Sequence, residues 1–238
     1  MTTTSVSEVP STTAPSRAAL TATGLFVLVT LVHLVAELTG PGWLEMWSQI
    51  VAMPVLALVL WSRTRAPRGR LVRWTLVGLG LSWLGDSAPN LAGEHSFIVM
   101  VGFFLLAQVA YVIAFWPFRA LSIASRSSRG WPLALLAYLV VLVVLLWWCV
   151  PGAGALAGPV VVYGTVLVAM AVLSTGVHRV AAIGGALFVV SDSLIALNAF
   201  ADWYSISWQG FAVMSTYLVA QAMLVYGVLA VNRLAARD

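Results

Sequence analysis

Two aspartates interrupt a chain that is otherwise close to hydrocarbon: Asp86 in "LVGLGLSWLGDSAP", which begins at Leu76, and Asp192 in "AIGGALFVVSDSLI", which begins at Ala182. An aspartate at the centre of a membrane-spanning helix costs roughly 2.5 to 3.5 kcal/mol on insertion scales. An interhelical hydrogen bond returns only about 0.6 kcal/mol on average, so two such aspartates point to a use beyond holding helices together. Two carboxyls brought close in a low dielectric do not both ionise readily, so one is expected to keep its proton while the other carries charge. An acid beside a base is the equipment of proton-transfer chemistry. The alternative is a structural cluster in which each aspartate bonds a glutamine or serine on a neighbouring helix.

Other polar residues fall near these two. Asn90 follows Asp86 by one helical turn and can share its face; Pro89 cannot donate to the carbonyl of Gly85, which leaves that oxygen free beside Asp86. Gln108, with Tyr111 three residues on, and Gln221 are the polar positions of "FLLAQVAY" and "YLVAQ". His33 and Glu37 stand one turn apart and read either as an interfacial pair or as the mouth of the same site. Tyr163 is a buried tyrosine whose hydroxyl needs a partner. The three histidines, 33, 95 and 178, fall on different helices or loops and not all at one face, so a histidine metal site has little support. There is no phosphate-binding glycine loop and no nucleophile elbow, and the lone Cys149 reads as a packing residue. No cofactor is expected.

The elements that must carry these residues are membrane helices. Of 238 residues, 61% are hydrophobic and 8% charged, and the mean hydropathy is +0.99, too little polar surface for a soluble globule. Windows of roughly 20 apolar residues occur eight times: Ala18 to Leu38, Trp43 to Trp61, Leu71 to Leu91, Ser96 to Phe118, Trp131 to Val150, Leu156 to Leu173, Val180 to Phe200 and Gln209 to Val231. The expected fold is an all-α polytopic membrane protein, a single domain over 18–232, with halves at about 18–118 and 131–232. Residues 1–17, rich in Ser, Thr and Pro, read as a disordered tail, and 233–238 as a short cytoplasmic one. The first span reads as uncleaved.

The formal charge of +4 does not call for nucleic acid, because its placement follows topology. All twelve basic residues are arginines. With eight spans and cytoplasmic termini, every arginine falls on the cytoplasmic side, while Glu37, Glu45, Glu94 and Asp202 fall on the other. Arginine without lysine points to a GC-rich bacterial genome and thus a bacterial plasma membrane. The Arg63 to Arg73 cluster can also touch anionic lipid headgroups.

A repeat lies within the apolar pattern. Gly78 aligns with Gly184, Asp86 with Asp192, Ser87 with Ser193, and "FLLAQ" with "YLVAQ". Each aspartate follows the last arginine before its helix by 13 residues, which is ~20 Å along a helix. Gln108 precedes Arg119 by 11 residues and Gln221 precedes Arg233 by 12. Four polar side chains therefore share one level, and the halves read as a parallel repeat about an axis along the membrane normal.

Over Leu76 to Phe115 and Ile183 to Leu224, "SWLGDSAPNL", "VGFFLLAQVAY", "GALFVVSDSLIALNAF" and "STYLVAQ" resemble the YhhN-like lysoplasmalogenase family of eight-helix membrane proteins. The resemblance implies hydrolysis of the vinyl ether bond of lysoplasmalogens to a fatty aldehyde and a glycerophospho-alcohol. It places the catalytic aspartates at Asp86 and Asp192 and an ether lysophospholipid among membrane lipids as substrate. Gln108, Tyr111, Gln221, Asn90, Ser193, His33 and Glu37 are the expected substrate-binding residues. Two positions depart from the family: Met53 stands before Pro54 where a lysine is common, and Gln108 where a histidine is. A proton-coupled carrier or a non-enzymatic membrane scaffold would also suit paired intramembrane aspartates.

Overall fold

The computed structural model describes residues 16–125 and 131–234. Most of the proposed N-terminal tail, and the C-terminal tail beyond residue 234, lie outside the described residues. Eight long helices account for nearly all the rest: α1 (Arg17–Thr39), α2 (Gly42–Ser62), α3 (Arg70–Ser87), α4 (Ser96–Phe115), α5 (Trp131–Cys149), α6 (Ala157–Val177), α7 (Arg179–Phe200) and α8 (Gln209–Leu234). Seven are long and apolar enough to cross a membrane. The eighth, α3, carries Arg70, Arg73 and Asp86 within its 18 residues, and those charges dilute its hydropathy. The protein is an all-α polytopic membrane protein.

Proline decides two boundaries differently from the apolar windows. Pro89 has no N–H to offer the carbonyl of Gly85, so the α3 ladder stops at Ser87 and the chain tightens into a 3₁₀ turn over Ala88–Leu91. Pro117 likewise follows the end of α4, and Trp116–Leu121 form a second such turn. Short connections reverse the chain within α1–α4 and within α5–α8, and Gly176 near the end of α6 meets Phe118 and Ser122 just beyond α4. Arg17, Arg63, Arg73, Arg119, Arg179 and Arg233 therefore gather at one end of the bundle, and Glu37, Glu45, Glu94 and Asp202 at the other.

Small residues bring α7 and α8 into the closest contact. A Cβ at Gly184 would lie 2.9 Å from both the carbonyl oxygen of Ala220 and the amide nitrogen of Leu224, and one at Gly227 would lie 2.6 Å from the Cβ of Ala181. In lipid, where apolar burial does not drive association, such backbone approach gives helices their dispersion energy. Helix α8 packs on α1, α2, α3, α6 and α7, and so forms the spine of the bundle. Helix α5 is its opposite: it packs on α6 and α7 and leaves a gap to α4, and Cys149 is the one buried side chain among its described residues.

Gly184→Val should lower stability by about 1–3 kcal/mol, because backbone atoms on α8 cannot move aside as a flexible side chain would. Gly24→Ala, on an open face of α1 with nothing near its would-be Cβ, should be neutral or gain up to about 1 kcal/mol. Thermal unfolding in detergent measures both.

Candidate active site

Asp86, 6% exposed, closes α3 just before the proline-induced break. Its Oδ2 accepts a hydrogen bond from Tyr217 Oη on α8 at 2.9 Å, and its Oδ1 one from Gln49 Nε2 on α2 at 3.4 Å. One turn along α8 from Tyr217, Gln221 continues the polar layer. Tyr111 Oη donates to Gln221 Oε1 at 2.6 Å, and Gln221 Nε2 donates to Ser82 Oγ at 2.9 Å. These bonds tie α2, α3, α4 and α8 together through polar side chains that hydrocarbon cannot satisfy.

Asp192, 8% exposed, has a different set of neighbours. Tyr163 Oη on α6 donates to its Oδ2 at 2.6 Å. The amide of fully buried Gln108 lies beside Asp192 and Tyr163, with neither Nε2 nor Oε1 in hydrogen-bonding geometry. Asp192, Tyr163 and Ser193 border a cavity of ≈ 230 Å³ between α4, α5, α6 and α7 whose other walls are apolar, including Leu105, Leu142 and Leu167. Ser193 turns its hydroxyl onto the carbonyl of Val189 in its own helix. The cavity lies on the side where α4 and α5 do not pack together, with Ile98 and Gly102 exposed there.

Asp86 does not line that cavity. An aromatic layer stands beside it: the ring of Tyr217, which holds Asp86, meets Phe104 and Phe188 edge-on, each at 5.6 Å and 87°. Phe104 belongs to the cavity wall, and Phe188 precedes Asp192 by one turn of α7. The carboxyls thus belong to adjacent hydrogen-bonded cells joined by an aromatic contact.

Of the other expected site residues, Gln108, Tyr111, Gln221 and Ser193 join these two cells and three do not. His33 is fully buried between α1 and α2. Its Nδ1 lies 2.9 Å from Ser48 Oγ and 3.2 Å from the Glu45 carbonyl, and its Nε2 lies 3.5 Å from Glu37 Oε1. Glu37 in turn presses on Gly210 at the start of α8. Asn90 is exposed and donates to the Ser87 carbonyl at 3.3 Å, which caps the broken end of α3. Met53, fully buried, packs in the apolar core. Gln49 and Tyr217 were not among the expected residues; Tyr217 stands one turn before Gln221, and that i,i+4 spacing was the available signal. Among the described residues no three His, Cys, Asp or Glu side chains gather to hold a metal ion.

The sequence profile of the YhhN family matches residues 44–228. The chain belongs to the YhhN family. It is 28% identical over 190 residues to the lysoplasmalogenase TMEM86B of Rattus norvegicus, an alignment that covers 79% of this chain and 75% of that protein. No solved structure matches. The matched span runs from the first turn of α2 to the last turns of α8, so it takes in both aspartate cells and leaves out His33 and Glu37.

Tyr217→Phe and Tyr163→Phe each remove a hydroxyl that satisfies a buried carboxyl. Each should lower stability by about 1–3 kcal/mol, read as a fall in the thermal midpoint in detergent.

Proposed function

We propose that this protein is a membrane-embedded hydrolase of the vinyl ether bond of lysoplasmalogen-type lipids, releasing a fatty aldehyde and a glycerophospho-alcohol. The observation that carries this reading is Asp192, hydrogen-bonded by Tyr163 and bordering an apolar cavity among membrane-spanning helices. Family membership and the similarity to a lysoplasmalogenase point the same way.

The chemistry needs an acid beside an apolar chain. The Asp192 carboxylic acid gives its proton to the alkene carbon one removed from the ether oxygen. The π electrons form the new C–H bond, and an oxygen lone pair completes an oxocarbenium ion facing the carboxylate just formed. Water adds to the cationic carbon, and its surplus proton returns to Asp192. The resulting hemiacetal breaks its other C–O bond, passing the hydroxyl proton to the departing glycerol oxygen, and the aldehyde is left. The pairing of one carboxyl with a developing oxocarbenium ion resembles glycosidase chemistry. Tyr163 holds the carboxyl in place. Asp86 acts one layer away as a positioning residue, by anchoring the Tyr217 ring against Phe104 and Phe188. No metal enters these steps.

The same reading includes the parallel repeat. Asp86 on α3 has its partners on α2 and α8, and Asp192 on α7 has its neighbours on α6 and α4, an arrangement reproduced by advancing four helices in the cycle. With the arginine-rich end cytoplasmic, both termini are cytoplasmic and the cavity lies in the outer half of the membrane.

Purified protein incubated with lysoplasmalogen should release aldehyde, and Asp192→Asn should slow release by about 10²–10⁴-fold, with a smaller loss for Asp86→Asn. Aldehyde release that survives Asp192→Asn overturns the mechanism. A folded wild type that releases none from any vinyl ether lipid overturns the hydrolase reading in favour of a proton-coupled carrier.

A further inference from the structure

Above the apolar cavity lies a second concavity of ≈ 540 Å³, lined by Trp147 and Trp148 at the end of α5, Pro151 and Gly152 in the following turn, Phe200 at the end of α7 and Ala201 to Trp203 beyond it. Phe200 lines both spaces. Interfacial tryptophans are usual at a membrane boundary, but here three share one bowl with a carboxylate, Asp202. Trp148 and Trp203 meet with ring centroids 5.0 Å apart at 66°.

The bowl is held by the backbone beneath it. Trp203 packs at right angles on Tyr204, whose Oη donates to Gln209 Oε1 at 3.0 Å, and Gln209 Nε2 donates to the Leu194 carbonyl at 2.8 Å. Gly152 sits so close to the Phe200 carbonyl that any Cβ there would collide. Electrostatics supply the second argument. The arginines lie at the far end of the bundle, and among the described residues no cationic side chain pairs with Asp202. Indole faces attract a cation within about 6 Å of the ring centroid, most strongly quaternary ammonium, and a carboxylate adds to that attraction.

We infer that the bowl formed by Trp147, Trp148, Trp203 and Asp202 binds the ammonium group of a choline or ethanolamine lipid headgroup. This rests on the hydrolase reading for what lies below: Asp192 precedes Phe200 by eight residues on α7, about 12 Å along the helix, a length that an extended glycerophosphocholine bridges. The ammonium then sits in the bowl while the ether linkage reaches the carboxyl.

Binding of a saturated O-hexadecyl glycerophosphocholine, which carries no vinyl ether to cleave, is measured on the full chain in phosphatidylglycerol nanodiscs beside the corresponding glycerophosphoglycerol lipid. Trp203→Leu and Asp202→Asn should each weaken the choline lipid about fivefold to thirtyfold and leave the glycerol lipid unchanged. The unchanged binding also reports that the variants are folded. Equal losses for both lipids, or no loss for the choline lipid, overturn the headgroup site. Free choline should compete poorly for want of a chain; competition as strong as the lipid's would assign the bowl to a soluble ammonium ion and overturn the lipid assignment. A wild type that discriminates headgroups yet cleaves no vinyl ether retires the hydrolase reading alone. Cleavage without discrimination retires the bowl alone.

Discussion

A polar atom left unpaired inside the hydrocarbon layer costs free energy, and two aspartates carry that cost where it is highest. Asp86 draws in Gln49 from α2 and Tyr217 from α8; Asp192 draws in Tyr163 from α6 and sets Gln108 of α4 at its side. Tyr111, Gln221 and Ser82 are bound into the first cell in turn. The helices that surround the candidate site, α2, α3, α4, α6, α7 and α8, are therefore the ones that carry these polar side chains. Apolar contacts in lipid distinguish weakly between one helix face and another, so this sparse polar layer, with the glycine contacts between α7 and α8, sets which helix meets which.

Much of this was legible in the sequence. The run of eight helices follows from apolar windows and arginine placement, and the two aspartates stand out by cost alone. Gln108 and Gln221, read from a short motif at matching depth, do lie in the aspartate cells. Side-chain direction was less accessible. A helix that is apolar all round, as α5 is, gives no sign of which stripe faces protein and which faces lipid. Gln49, which follows Ser48 and stands one turn after Glu45 on α2, gave no hint of its partner.

Other readings turned on tertiary placement. His33 and Glu37 do form a pair, but between α1, α2 and α8, away from the cavity. Asn90 shares a turn with Asp86 only if the α-helix continues; Pro89 ends it, and Asn90 faces out to cap the break. The proline that was read as freeing a carbonyl within a continuous helix therefore terminates the helix and leaves Asp86 one residue from its end. Depth along the membrane normal could be counted from the arginines. Position around the bundle could not.

The gap between α4 and α5 changes what concentration means for this protein. On the hydrolase reading proposed above, a single-chain lipid that slips sideways through it reaches Asp192 without passing through water, so it sheds no hydrocarbon from the bilayer and gains little hydrophobic free energy by binding. Occupancy then follows the lipid's mole fraction in the surrounding leaflet and not its level in bulk solution. Such a site stays nearly empty in a membrane poor in its ligand and fills as that ligand accumulates, which lets the protein respond to bilayer composition through ordinary mass action.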